Sequence, residues 1–427
     1  MKQNIDYCII GGGVSGCYLA NKLKEQDKDL KIELYESRDD LGGKITPYKE
    51  ENIEINPGGN YFKPNHIRVL QLVKKYKLKI EKMPEFLVEN CITNKWEKYS
   101  LIFKYFHSIF FPNIYKISNI ENKTVFEILS LLCSPKQIQL FFIFYPYWNE
   151  ILFSNAKIFF QNWEKDVPFI NFNSHRILPS YGKLISCLKN DLEKNKIPIF
   201  LLYNLKNIKW NTSKKIWTIF FTNSQKLYSK NICLTIPPNS LLHIPYFYRK
   251  YLYNFQLKTV LNSETLLRIY AFCNYKNKDC IQWLKKLKHR NTQSSLQQIE
   301  IVNIHKGVFQ ISYTSDMWSD VWNNLFQNSE NIEYVQHILT TQLKKIWNDF
   351  HESWIKKIIP FYWKYAVHYW LKRCDPEKEM IKWIHPEKNR SLFLANEAFS
   401  TYHGWVEGSL QSVETCLEQI NKLKKNN

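Results

Sequence analysis

The stretch "YCIIGGGVSGCYLANKL", Tyr7 to Leu23, decides the fold of this chain. Ile5-Asp6-Tyr7-Cys8-Ile9-Ile10 reads as a short buried parallel strand. It runs into Gly11, Gly13 and Gly16 in G-x-G-x-x-G spacing, and Val14, Cys17, Tyr18 and Leu23 then line one helical face. A second strand, Leu30 to Tyr35, ends at Glu36, 20 residues past Gly16. Each part has a physical task. Gly11 permits the sharp turn, Gly13 lets a pyrophosphate approach the backbone, and Gly16 lets the helix pack closely on the sheet. Gly12 reads as a spacer that any small residue could fill. Free N–H groups where the helix opens, around Val14 and Ser15, hold phosphate oxygens. Glu36 accepts both hydroxyl hydrogens of an adenosine ribose, and its charge repels a 2′-phosphate.

Composition sets the frame for this unit. A chain of 427 residues, 44% hydrophobic and 16% aromatic, can build two sub-domains with real cores, and it is neither disordered nor fibrous. Lys2, Asn4 and Asp6 ahead of the glycines argue against a signal peptide. Lys104, His107 and Lys116 break up the greasy window Leu101–Ile117, and Lys136, Gln137 and Gln139 break up Leu129–Trp148. Neither window offers the ~20 uncharged residues that a bilayer span needs. A soluble protein follows from this reading. Its ten cysteines contain no CxxC; singles such as Cys8 and Cys233 lie in apolar runs, and no metal site is expected. Reduced thiols suit a cytoplasmic setting. The net charge of +20 comes mostly from lysine spread along a chain rich in Asn and Ile, the signature of an AT-rich genome. No basic block interleaved with aromatics marks a nucleic-acid platform, so no specific nucleic-acid partner is expected.

The residues after Glu36 select the dinucleotide. Glu36-Ser37-Arg38-Asp39-Asp40-Leu41-Gly42-Gly43-Lys44 resembles the "E-x-R-x-x-x-G-G-R" segment of FAD-dependent amine oxidases and their relatives, which include the protoporphyrinogen oxidase-like enzymes. The resemblance implies that Arg38 lies along the cofactor and that Gly42 and Gly43 pass its pyrophosphate. Lys44 replaces the family arginine, keeping charge but losing the bidentate fork. Glu54-Ile55-Asn56-Pro57-Gly58-Gly59-Asn60-Tyr61 is similar to the glycine pair that borders the isoalloxazine ring. At the far end, Ser391 to Glu397 reads as a strand ending in an acid, and His403-Gly404-Trp405-Val406-Glu407-Gly408-Ser409 opens a helix to Lys422. That segment resembles the family's "G-E" and "G-[WYF]-[VM]-E-G-A". By resemblance Glu397 meets the ribityl or pyrophosphate region, and the backbone at Trp405 and Val406 points at flavin N1 and the C2 carbonyl. Asn396 stands where the family has glycine, and His403 reads as a cap of the helix.

Between the ends, Ile177 to Leu192 resembles the family's "GGM-x-x-L" helix, and Pro198–Tyr203, Leu205–Trp210, Lys215–Thr222 and Ile232–Pro238 its returning sheet. Leu205 stands where the family backbone pairs with adenine. The expected architecture is α/β, a Rossmann-like FAD-binding domain of the GR2 type, discontinuous in sequence, plus an α+β substrate domain. Residues 1–61, 174–239 and 387–427 are assigned to the first, and 62–173 and 240–386 to the second.

For catalysis, the family's flavin-side lysine falls at Arg268 in Leu267-Arg268-Ile269-Tyr270-Ala271-Phe272; an arginine stays protonated and cannot handle a proton in the same way. Trp363 and Tyr369 lead the aromatic candidates from Tyr362 to Trp370 for facing the amine. Cys374 lacks the glycine-rich surroundings of covalent flavin attachment, so FAD is expected to be non-covalent. The expected function is hydride removal from a C–N bond of a small amine or apolar substrate, with O₂ as acceptor. Alternatives are a desaturase or porphyrinogen oxidase-like reaction, a catalytically weak FAD-binding protein, or a basic surface-binding protein. The sequence holds no signature of oligomeric state.

Overall fold

The computed structural model describes residues 5–50, 52–169, 174–252, 256–327 and 332–426. Lys2 and Asn4, and the domain boundary expected at Asn173, lie outside the described residues.

Ile5–Ile10 forms the strand at the centre of the first sheet because its residues are apolar on both faces. It pairs in parallel with Ile32–Tyr35 on one side and with Lys226–Leu234 on the other, Ile10 lying opposite both Tyr35 and Leu234. Ile199–Phe200 extends the sheet beyond Ile32–Tyr35. On the far side, Lys226–Leu234 splits its free edge. Its first half takes the antiparallel strand Ile216–Phe221, which carries Leu205–Asn211, and its second half takes Leu392–Leu394 in parallel. One seven-stranded sheet is thus assembled from three separate stretches of chain. The helices Val14–Gln26, Gly182–Lys194 and Val406–Asn426 cover it.

Several elements stop earlier than their sequence suggests, for local reasons. The strand read as Ile232–Pro238 begins at Lys226 and ends at Leu234. Thr235 then leaves the ladder, and its hydroxyl donates to the carbonyls of Ile10 (3.0 Å) and Gly11 (2.9 Å). The strand read as Pro198–Tyr203 is only Ile199–Phe200, because Leu202 turns to φ +62° and the Leu202 and Tyr203 N–H groups donate to the Arg38 and Glu36 carbonyls. Glu397 lies past the end of its strand, in the turn Glu397–Phe399.

A second seven-stranded sheet follows the order Ile355–Trp370, Leu261–Cys273, Val308–Ser315, Gln298–Asn303, Arg290–Asn291, Leu87–Asn90, Lys95–Lys98. The two greasy windows become helices packed on one another. Tyr99–Ile114 meets Val125–Leu132, Pro135–Phe144 and Ala156–Asp166 through Phe103, Phe106, Phe110, Phe141, Phe144 and Trp163. A capping box at Ser134 and Gln137, with Pro135 in the first turn, interrupts the second window. No helix among the described residues is long and apolar enough to cross a membrane.

The glycine turn depends on close packing. A Cβ on Gly16 would lie 1.9 Å from the Gly11 carbonyl oxygen, so the helix rests directly on the turn. Gly16→Ala is therefore expected to cost at least about 2 kcal/mol of unfolding free energy, measured by urea denaturation.

Candidate active site

Gly11 ends the central strand at φ +112°, a conformation that only glycine adopts freely. The next N–H, from Gly12, donates to Glu36 Oε2 at 2.6 Å, and a Cβ on Gly12 would meet Leu41 Cδ2 at 2.4 Å. Gly12 is therefore no spacer: it is sealed between Glu36 and Leu41. Gly13 is the reverse case. A Cβ there would meet nothing within 4 Å, so its Cα faces open space at the start of the helix. Glu36 also accepts from the Arg38 N–H (2.9 Å) and the Ser37 hydroxyl (3.1 Å), so its carboxylate is held in place within the protein.

The loop after it runs along the same opening. The Gly42 N–H donates to the Gly12 carbonyl (2.9 Å), and Gly43 passes 3.5 Å from Gly13 measured from the position of its Cβ. Both have positive φ, +128° and +57°. Lys44 follows, and its backbone carbonyl takes the Gly59 N–H at 3.0 Å. A Cβ on Gly58 would lie 2.0 Å from that carbonyl, so the second glycine pair has a packing requirement inside the protein itself. Asn60 points away from this backbone, its amide donating to Glu300 at 3.1 Å.

The C-terminal segment closes the other wall. The Glu397 carboxylate accepts from the His368 N–H (3.0 Å), the Gly404 N–H (3.1 Å) and the Lys44 ammonium (3.3 Å), which also donates to the Ala366 carbonyl at 2.6 Å. Burial alone would raise this carboxyl, but Lys44 and His368 hold it well below the usual carboxylate range. His403 does not cap the helix. It gives Nε2 to the Ala398 carbonyl at 3.1 Å, and the helix opens at Val406 just after Trp405. Leu205 opens its strand half-buried, opposite Phe221.

Beyond Gly58 the residues become aromatic and acidic. Trp363 Nε1 donates to the Pro57 carbonyl at 2.9 Å, placing the indole 3.4 Å from the Gly58 Cβ position and near Arg38. Trp405 meets Tyr61 edge-on at 5.8 Å, and Tyr147 meets Tyr313 at 6.1 Å. Arg268 lies 3.8 Å over the Tyr313 ring, donates to Gln310 and stands 3.9 Å from Glu300. Burial works against its charge, but Tyr270, Tyr313 and Glu300 hold the guanidinium protonated. Trp363 and Arg268 thus both border one aromatic cluster that includes Tyr147 and Tyr313. Tyr369 is buried beside Asn262, and burial together with the Glu264, Asp316 and Glu150 carboxyls raises its hydroxyl.

Glu150, Glu264, Asp316, Tyr147 and Tyr313 are absent from the sequence reading. Glu264, Leu266, Arg268 and Tyr270 alternate along one strand, so Glu264 shares a face with Arg268. In a strand that also holds Asn262, Ser263 and Thr265, one more polar residue gave little signal.

Comparison with known proteins agrees with this geometry. A family model described as an NAD(P)-binding Rossmann-like domain matches residues 9–76. The flavin-containing amine oxidase B of Rattus norvegicus is 33% identical over 86 residues, which is 20% of this chain and 16% of that protein. The flavin-containing amine oxidase of Oncorhynchus mykiss is 36% identical over 85 residues, again 20% and 16%. The matched stretch is thus about a sixth of these relatives' length. A putrescine oxidase structure redesigned in its cofactor binding superposes with TM-score 0.75 at 13% identity, covering 98% of this chain and 99% of that one. The chain shares its fold with that putrescine oxidase structure. Within that fold, this chain places Lys44 and Glu397 at the seam between the N-terminal loop, the strand Ile355–Trp370 and the C-terminal helix.

Because Glu397 is held low, its stabilising charge is present above the unfolded value of 4.5 and is lost as pH falls through its lower folded value. Glu397→Gln is expected to lower unfolding free energy by about 3 kcal/mol at pH 7. Denaturation curves should show that difference shrinking as the pH drops below 4.5.

Proposed function

We propose that this chain is an FAD-dependent oxidoreductase of amine oxidase type, taking a hydride from the C–N bond of a small amine, with dioxygen as the acceptor. The observation that carries the reading is the adjacency of two groups of residues. Gly13 faces open space between Glu36 and the Gly42–Gly43 loop, and Trp363, bonded to the Pro57 carbonyl beside Gly58, packs with Tyr147 and Tyr313.

The residues present fit FAD. The space a Gly13 Cβ would enter suits a pyrophosphate, the first N–H groups of the Val14–Gln26 helix suit its charge, and the fixed Glu36 carboxylate suits an unphosphorylated ribose. Bound there, FAD supplies the acceptor for a hydride. Attachment is non-covalent on this reading: the Cys374 thiol donates to the Leu371 carbonyl at 2.9 Å, and burial raises it to about 12. Arg268 cannot accept a proton, so its part is to fix Gln310 and Tyr313 and to keep a positive charge in the wall. The aromatic rings exclude water and stabilise a cationic carbon–nitrogen centre as it forms. The commitment of Arg268 to Glu300 and Gln310 favours one other reading, a protein that binds FAD with little catalysis.

Anaerobic mixing of the purified flavoprotein with a panel of primary amines separates these. Loss of oxidised-flavin absorbance with at least one amine is expected. A flavin that no amine bleaches would leave only the binding role. Gly13→Ala, which clashes with no protein atom, should retain the fold by circular dichroism while its flavin content falls at least about tenfold, the 1.4 kcal/mol scale of one lost phosphate contact.

A further inference from the structure

Three short basic runs that lie far apart in sequence meet, through Arg290, at one corner of the second sheet. Lys95–Lys98 is its edge strand, Lys285 to Arg290 leads into the strand Arg290–Asn291, and Lys344 to Trp347 ends the helix Ile332–Ile346. Together the runs hold seven lysines and Arg290 against one acid, Glu97. All seven lysines are exposed, and none makes an ion pair or a side-chain hydrogen bond among the described residues. The acids nearby are already engaged. Glu97 accepts from Asn90 at 3.0 Å and Thr93 at 2.8 Å, and Glu89, which acts on Arg290, accepts the Gln293 N–H at 2.9 Å.

Arg290 stands between two indoles, 4.2 Å from the Trp96 ring centre and 4.4 Å from that of Trp347. Its Nε is buried without a partner, and its guanidinium makes no hydrogen bond or ion pair among the described residues. Arg290 lies opposite Leu87 in the ladder, and Leu87 lies opposite Lys98. Lys98 therefore shares the face of Arg290, about 10 Å across two strand spacings. Trp96, two residues before Lys98, is on that face as well. The two tryptophans differ in their surroundings. Trp347 packs on the core of the neighbouring helices and meets Trp283 edge-on. Trp96 belongs to none of the hydrophobic clusters of the described residues, and Arg290 is its one ring partner there. A half-buried indole on an edge strand, held by a cation and flanked by Lys95 and Lys98, adds little to any core. Its position suits a flat partner from outside.

We propose that this corner binds single-stranded nucleic acid without regard to sequence. A base stacks on the face of Trp96 that Arg290 does not occupy, and the lysines neutralise backbone phosphates. Arg290, its faces taken by indoles, offers the edge of its fork to phosphate oxygens. An acidic peptide would satisfy the cations and leave Trp96 without a stacking partner, so the aromatic ring favours the base-bearing polyanion. The proposal does not depend on the flavin chemistry. No single run carries the signal in sequence; the fold assembles it.

The test is fluorescence anisotropy of a labelled oligothymidylate of about 20 nucleotides, titrated with the full chain. FAD is added in excess, so that the oligonucleotide does not compete for the site beside Gly13. Binding is expected at about 50 mM salt and is expected to weaken about 50-fold at about 200 mM, the response of roughly four neutralised phosphates. Trp96→Ala, checked for folding by its thermal transition, should weaken binding about tenfold, the loss of one base stack. Polyglutamate should compete at least about tenfold less well than unlabelled oligothymidylate. No binding at the lower salt, or an affinity that folded Trp96→Ala leaves unchanged, would overturn the proposal. Equal competition by polyglutamate would overturn it too, and would assign the corner to an acidic protein segment. Should Trp96→Ala fail to fold, the double variant Lys95→Gln, Lys98→Gln decides. It should reduce the salt slope by about 1.4, and an unchanged slope counts against the proposal.

Discussion

The Glu397 carboxylate holds together parts of the chain that lie hundreds of positions apart. It accepts main-chain N–H groups from His368 and Gly404 and the ammonium of Lys44. Lys44 in turn donates to Ala366. One buried anion therefore fixes the loop after Arg38, the end of the strand Ile355–Trp370 and the entry to the last helix. Trp370 Nε1, donating to the Ser400 carbonyl at 2.8 Å, makes a second tie across the same seam. The glycine crevice has fixed walls because of this joint. The Lys44 ammonium is directed at a single carboxylate and a single carbonyl, an arrangement that needs no planar fork.

The cofactor-binding half was legible because its requirements are local and backbone-based. Gly11 with positive φ, Gly16 under the Gly11 carbonyl, and an acid at the end of the second strand each follow from geometry that few residue types satisfy. Gly12 was misread for the converse reason. Its constraint comes from Leu41 and Glu36, which a linear reading does not place beside it. The pairing of Leu392–Leu394 with the second half of Lys226–Leu234 was readable as a strand, and its closing role only from the fold. His403 looked like a cap because of its position before a helix, yet the turn at Gly404, φ +75°, carries it back toward Ala398.

The chamber was far less legible. Arg268 was singled out by resemblance to a strand pattern and Trp363 by its place in an aromatic-rich segment, whereas Glu150, Glu264 and Asp316 come from a helix, a strand and the start of another helix that are distant in sequence. Their significance is collective. A single glutamate in a strand reads as a surface residue, and only the fold shows it buried beside two more acids, with its carboxyl raised by that burial. The overall basic charge of the chain hides this, since +20 at the surface says nothing about the sign of an interior site.

The proposed function rests on one bound dinucleotide. The most direct measurement is identification of the small molecule released when the purified protein is denatured. The account requires FAD, freed intact into the supernatant at one molecule per chain. A colourless protein, a release of NAD, or flavin that stays with the denatured chain would contradict it.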